Sequence, residues 1–533
     1  MQLQKMTKPC VLLYNPPAAI NKKSWDREPL PLHLLSICSL INQEQYKFGI
    51  SQDFPEQAFL EFAPLLDKAV CLGISCMTGK QITNGLSLAK KIKSLKENLP
   101  VIWGGYHPSA LPEQTALDPL VDIVVRGYGE ETFAELVDAL SKGRNYEDIK
   151  GITFYKKDGL LSTADRPVCS LNDFPPLPYH LYDIEAYFKR ISSRYMRYVS
   201  SRGCPHHCGF CADYVIYQGK WNALTAKRVI ADLEYLKARY NYEYLQFYDS
   251  NLFVDEARIK EICIGVIEKE LNFKALTSNG DALIMSRYSD ETLYLMKQAG
   301  ISNVVLGVES GYAKALECVS KPANLEQIFE CARRLRSKGI SIVFSFMFGF
   351  PYDLPKSKLL PEHKNEILAT MKMMTRFGED YIPGDAYSFF IYRPYPGVKL
   401  FERYIKLGYN SPCEFKDWAT MGEHFESTRN PWLSDQALQL YLTSLKIIWF
   451  LTRKVKNKLF LGAKSELLNN ISESIERSAI KTLRKYVARD KIKIPFLLIC
   501  LQHYCNLRGL SAKELYLKII IYLKKKTVSL LRN

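Results

Sequence analysis

Three cysteines stand within one short stretch, "RGCPHHCGFCAD" (202–213), at positions 204, 208 and 211, and no fourth follows nearby. Thiolates at this spacing bind soft metals. A structural zinc ion closes a tetrahedron of four protein ligands, and here the fourth would have to come from His206, His207 or a distant residue. A [4Fe–4S] cluster also takes thiolate ligands. Held by three of them, it keeps one iron open to a ligand from outside the protein. The CxxxCxxC spacing directly after an expected strand favours the cluster, with Cys204, Cys208 and Cys211 as its ligands.

The other cysteines of the fourteen are dispersed. Cys38, Cys71 and Cys76 lie in apolar patterns and are expected to be small core residues. Met1–Lys8 holds no apolar core of the kind that opens a secreted chain, so reduced thiols and a cytoplasmic setting are expected. No apolar run reaches the ~18 residues of a membrane span; the longest, "IPFLLICL" (494–501), reads as a buried helix or strand. With 533 residues, 47% hydrophobic and 24% charged, the composition is globular and sufficient for several domains. The net charge of +16 is concentrated at one end. Residues 441–533 carry 20 Lys or Arg against 5 Asp or Glu, leaving the main body near neutrality.

The cysteines need elements to hold them. Over residues 1–155, apolar runs at 10–16, 69–76, 101–105, 122–127 and 151–155 alternate with helical patterns at 32–41, 83–95 and 130–140. Fully apolar strands between amphipathic helices imply a doubly wound parallel sheet of Rossmann type, with ligands at the carboxyl ends of its strands. The proline-rich "NDFPPLPYHLYD" (172–183) marks a linker over 156–195. A second alternation fills 196–400, with strands at 197–203, 244–251, 273–280, 303–310, 341–350 and 386–396 and helices such as 324–339 between them. Six βα units predict a partial (β/α)6 barrel of TIM type, active at its strand ends. Beyond 400 strands become scarce, so 401–533 is expected to be a helical, basic C-terminal domain.

With the cysteine motif at the end of the first barrel strand, the chain resembles the radical S-adenosylmethionine superfamily. The resemblance implies that the open iron binds S-adenosylmethionine, whose reductive cleavage yields a 5′-deoxyadenosyl radical able to abstract hydrogen from an unactivated carbon. It also implies cofactor contacts at Phe210, Asp249 in "FYDSN", Glu309 in "LGVESG" and Arg393 in "RPYPG"; "FGFP" (348–351) resembles a further glycine turn. Strand-end polar residues also cap helices, and for Ser278 and Asn279 turn chemistry is the preferred reading.

The first segment resembles the cobalamin-binding domain found in one branch of that superfamily, on "YNPP" (14–17), "GISC" (73–76), "WGGYHPS" (103–109) and "RGYGEET" (126–132). Asn15, Ser75, Gly104 and Gly105 are the residues it assigns to cobalamin. Asp-x-His-x-x-Gly, which donates an imidazole to cobalt in other cobalamin domains, is absent: His33 lacks its partners and His107 lies in another loop.

The family mechanism implied is methylation of an unactivated carbon, one S-adenosylmethionine charging cobalamin with a methyl group and a second supplying the radical. The same scaffold runs radical oxidation and ring closure, as in the anaerobic cyclase of chlorophyll synthesis, and a cobalamin or cluster sensor is the non-enzymatic alternative. Expected partners are a small-molecule, lipid or tetrapyrrole substrate and an electron donor such as flavodoxin or ferredoxin. The basic segments 434–459 and 514–526 read either as a membrane-surface contact or as an ordinary helical cap. No nucleic-acid module accompanies the charge.

Overall fold

The computed structural model describes residues 8–18, 28–157, 159–322, 324–380, 382–421, 430–438 and 440–441. Two compact units make up the chain, one of residues 1–304, 319–322 and 393–430, the other of 305–318, 323–392 and 431–533.

The first unit begins with a seven-stranded sheet. Its strands are β1 (Cys10–Tyr14), β2 (Lys47–Ser51), β3 (Ala69–Ser75), β4 (Val101–Gly104), β5 (Ile123–Val125), β6 (Ile152–Lys156) and β7 (Gly159–Ser162), in the order β2-β1-β3-β4-β5-β6-β7. Strands β1 to β5 pair in parallel, as expected. The sheet is nevertheless mixed, because β6 runs antiparallel to β5 and β7 antiparallel to β6. An apolar run marks a strand without stating its direction, so this reversal was not readable. Residues of β1 alternate between two cores. Leu12 and Tyr14 pack with Leu72, Ile74 and Trp103 beneath the helix Lys80–Leu95, while Val11 and Leu13 pack with Cys71, Ile102 and Phe133. Cys38, Cys71 and Cys76 are buried thiols, and the described cysteines are all free.

The segment expected to be linker contains β7 and the helix Ile184–Arg190. There follow β8 (Tyr195–Tyr198), β9 (Ser201–Arg202), β10 (Asn222–Ala223), β11 (Tyr244–Phe247) and β12 (Ala275–Gly280). Strands β8, β11 and β12 pair in parallel, and β9 with β10 antiparallel. Their helices start at side-chain caps: Thr225 and Asp255 each accept a hydrogen bond from the backbone N–H three residues on. Phe415, Trp418 and Met421, beyond the expected end of the barrel, belong to the core under helix Lys80–Leu95.

Strand β13 (Ile301–Glu309) passes from the first unit into the second, where β14 (Ser341–Phe348) pairs in parallel with β15 (Ala386–Ile391). Helices Leu325–Ser337, capped by Asn324, and Lys356–Phe377 complete the second unit. Phe344, Phe377 and Tyr387 stack in its core, beside the buried ion pair of Arg336 and Asp385 at 2.7 Å. Most of the basic tail, including 494–501 and 514–526, lies outside the described residues. Among the described residues no helix is long and apolar enough to cross a membrane.

Candidate active site

The cysteine loop joins β9 to the short helix Asp213–Tyr217. It begins at Gly203, whose φ of +76° favours glycine and whose missing Cβ would run into the carbonyl of Lys220. Cys208 is buried; Cys204 and Cys211 are half-buried. Backbone bonds fix the loop between them: Cys211 N donates to Cys208 O at 3.1 Å, Gly209 N to Val319 O at 2.8 Å, and Leu400 N to Gly209 O at 3.1 Å. Burial pushes the Cys211 thiol up to about 12, with Asp213, Cys208 and Cys204 adding in the same direction. Ionisation of Cys208 or Cys204 therefore opposes that of Cys211. Cationic iron removes that opposition, so this donor set suits a metal cluster. Among the described residues no three His, Cys, Asp or Glu side chains converge as ligands of a single ion.

The end of β11 braces this loop. Asp249, 1% exposed, accepts from Ser200 N at 2.8 Å, from Ser200 Oγ at 2.6 Å and from Ser201 Oγ at 2.6 Å. Arg258 Nη2 donates to Ser200 Oγ at 2.9 Å. Burial raises the Asp249 carboxyl, while these partners and Arg258 pull it down. Asp249 thus ties β11 to the turn that precedes the cysteines. Ser278 and Asn279, expected in a turn, lie within β12 and reach across to the end of β11: Ser278 Oγ donates to Phe247 O at 3.2 Å and Asn279 Nδ2 to Asp249 O at 3.0 Å. Asn251, passed over in the sequence, donates from Nδ2 to Cys204 Sγ at 3.7 Å. Phe210 and Arg393 are half-buried, the latter with its carbonyl accepting from Tyr395 N at 3.0 Å.

On the sheet, Asn15, Ser75, Gly104 and Gly105 gather at the carboxyl ends of the adjacent strands β1, β3 and β4. Helix Lys80–Leu95 fixes the "NPP" turn, with Gln81 Nε2 donating to Pro16 O at 2.6 Å and to Asn15 Oδ1 at 3.4 Å. Gly105 has φ +93°, and a Cβ there would lie 2.9 Å from both Cys76 O and Ser75 Oγ. His107 is fully buried against Phe415 and Trp418, with Nδ1 2.9 Å from Thr78 Oγ1. Burial lowers its imidazole to about 3, so it stays neutral. Two contacts join this region to the cysteine loop. Tyr106 Oη donates to Asp213 Oδ1 at 2.5 Å, and Arg202 pairs with the buried Glu130 at 2.7 Å.

In the second unit, β13 ends at Glu309, buried and held at φ +66°, with Ser310 N donating to Val308 O at 2.9 Å. A positive φ in a residue with a long side chain stores strain of the kind found at ligand sites. Helix Lys356–Phe377 presents a polar row to these strand-end turns, which no apolar periodicity reveals. Thr370 Oγ1 accepts from Gly311 N at 3.0 Å. Glu366 accepts from Gly349 N at 3.0 Å and from Tyr352 Oη at 2.9 Å. Glu362 accepts from Tyr312 Oη at 2.7 Å.

Burial pushes the fully buried Glu366 up to about 8 from 4.5. The folded protein keeps this proton while the unfolded chain loses it above 4.5, so the contribution to stability is complete below that pH and is lost as pH rises toward 8. Glu366→Gln is neutral throughout. The melting temperature of the wild type is expected to fall relative to Glu366→Gln between pH 5 and pH 8, read by melting both across that range; parallel curves would contradict the assignment.

Both segments that carry these residues match known families. A model of the radical SAM superfamily matches residues 198–356, and one of the B12 binding domain matches 35–137. The chain carries a radical SAM domain and a B12 binding domain together, the pairing of the cobalamin-dependent branch of that superfamily. As a radical SAM enzyme it uses a [4Fe–4S] cluster, S-adenosylmethionine and cobalamin. Cys204, Cys208, Cys211, Phe210, Asp249 and Glu309 fall within the first match, and Ser75, Gly104 and Gly105 within the second, whereas Asn15 and Arg393 fall outside both.

Relatives of the chain include a protein named as an uncharacterized methyltransferase, PH0819, of Pyrococcus horikoshii. It is 29% identical over 401 residues, covering 74% of this chain and 82% of that one. The anaerobic magnesium-protoporphyrin IX monomethyl ester cyclase of Synechocystis is 23% identical over 354 residues, covering 64% and 69%. Among solved structures, the fold resembles that of the radical S-adenosylmethionine methyltransferase TsrM of Kitasatospora setae, solved with cobalamin and a [4Fe–4S] cluster. The TM-score is 0.63 at 15% identity, with 90% of this chain and 99% of that one covered.

Proposed function

We propose that the protein methylates an unactivated carbon of a small-molecule, lipid or tetrapyrrole substrate. The observation that carries this reading is the Tyr106–Asp213 bond, which links the loop after β4 to the loop of the cysteines within one compact unit. When bound, S-adenosylmethionine on the cluster supplies a radical for hydrogen abstraction, and cobalamin supplies a methyl carrier. The chain's own residues do the rest. Cys204, Cys208 and Cys211 hold the cluster, and Asp249 keeps their loop in place through Ser200 and Ser201. Phe210, Glu309 and Arg393 contact S-adenosylmethionine, while Asn15, Ser75, Gly104 and Gly105 shape the corrin cradle.

In this reading 1–155 form the Rossmann-like cobalamin domain, 156–195 the connection, 196–400 the (β/α)6 barrel and 401–533 a helical basic domain. A flavodoxin or ferredoxin in the cytoplasm supplies the electrons, and the basic end of the chain is the part available for contact with a membrane surface. Similarity to the anaerobic cyclase favours a second reading, oxidation or ring closure without methyl transfer. Product mass separates the two. Incubation with candidate substrates and S-adenosylmethionine carrying a deuterated methyl group is expected to yield a product that has gained a labelled methyl; loss of hydrogen or gain of oxygen without label would select the second reading.

A further inference from the structure

We propose that Asn251 tunes the reduction potential of the cluster by donating a hydrogen bond from its amide to the sulfur of Cys204. The inference rests on the reading of the three cysteines as cluster ligands and adds a positioning residue that lies outside their motif. Asn251 follows β11 and is 3% exposed. Its backbone is held: the carbonyl accepts from Trp221 Nε1 at 3.1 Å. With the backbone held, the side chain has little choice of direction, and Nδ2 lies 3.7 Å from Cys204 Sγ.

The other half of the amide is the informative one. Oδ1 is buried and has no partner. A buried asparagine kept only to hold a loop normally satisfies both ends of its amide. This one spends its donor on a sulfur and leaves its acceptor without a partner. Rotating the amide would not repair the deficit, since a thiolate ligand accepts and does not donate. The orientation that suits a metal-bound sulfur is the one present.

An N–H donated to a cluster thiolate draws electron density from the sulfur and favours the more negatively charged, reduced cluster. Hydrogen bonds to sulfur are among the factors that set the potentials of such centres. Removing this donor therefore lowers the potential. Two variants test it: Asn251→Leu removes the donor at similar volume, and Asn251→Asp replaces it with a carboxylate.

The experiment is a potentiometric titration of the reconstituted holoenzyme followed by electron paramagnetic resonance, with iron and sulfide measured on the same samples. At fixed potential the ratio of reduced to oxidised cluster is expected to fall about tenfold in Asn251→Leu, ~59 mV for one electron, and at least as far in Asn251→Asp. Full iron content with an unchanged midpoint in both variants overturns the proposal. Loss of iron from both also overturns it, because Asn251 would then be needed to hold the loop. A wild-type protein that assembles no cluster would instead defeat the underlying reading of the cysteines.

Discussion

The Cys208→Ala variant is expected to purify without iron and to cleave S-adenosylmethionine at the rate of a reaction lacking enzyme. Cys208 is the most buried of the three thiols and lies at the centre of the loop, its carbonyl accepting from Cys211 N. Alanine keeps the backbone and its bonds but replaces a thiolate with a methyl group. Only Cys204 and Cys211 would then remain to hold a cluster that calls for three thiolates. Iron and sulfide analysis with chromatographic detection of 5′-deoxyadenosine reads the result. Cys413→Ala, at an exposed thiol far along the chain, serves as the control and is expected to match the wild type. Undiminished cleavage in Cys208→Ala would remove the site assignment.

Gly105→Leu is expected to abolish cobalamin binding and to leave the iron content unchanged. Leucine at φ +93° costs about 1–3 kcal/mol in backbone strain alone. Its Cβ also falls 2.9 Å from Cys76 O and Ser75 Oγ, so the end of β3 must move. Gly104 next to it behaves differently. A Cβ there meets Val125 O at an ordinary 3.6 Å, and its φ is not positive. Gly104→Ala should therefore leave the ends of β3 and β4 in place, so that any cobalt it loses reports the close approach of the corrin rather than a displaced strand end. The measurement is cobalt per chain after anaerobic purification with cobalamin supplied. Equal cobalt in Gly105→Leu and wild type would contradict the cradle.

The cysteine motif is legible because Cys204, Cys208 and Cys211 lie in one short stretch, where spacing alone suggests the chemistry. The parallel strands were legible for a similar reason: residues such as Val11 to Tyr14 are apolar on both faces because both faces are covered. Edge strand β2 escaped, since Lys47–Ser51 is only half-buried and carries no apolar run. Asp249 was picked out from its strand end, but its partners Ser200 and Ser201 lie too far back in the chain for spacing to reveal. Asn251 stands two residues further on and was missed, because proximity to Cys204 is a property of the fold. The same holds for Glu366, whose burial follows from turns at Gly349 and Tyr352 that no helical periodicity encodes. Phe415 and Trp418 look like the opening of a separate helical domain until they are seen packed beneath helix Lys80–Leu95.

The central claim is that one chain carries both the cluster and cobalamin. It is tested most directly by iron, sulfide and cobalt analysis of a single sample, purified anaerobically from cells supplied with cobalamin. The expected result is iron and sulfide in the proportion of a [4Fe–4S] cluster together with cobalt equimolar with the chain. Iron and sulfide without cobalt, despite ample supply, would contradict it and leave a radical enzyme whose first domain binds something else.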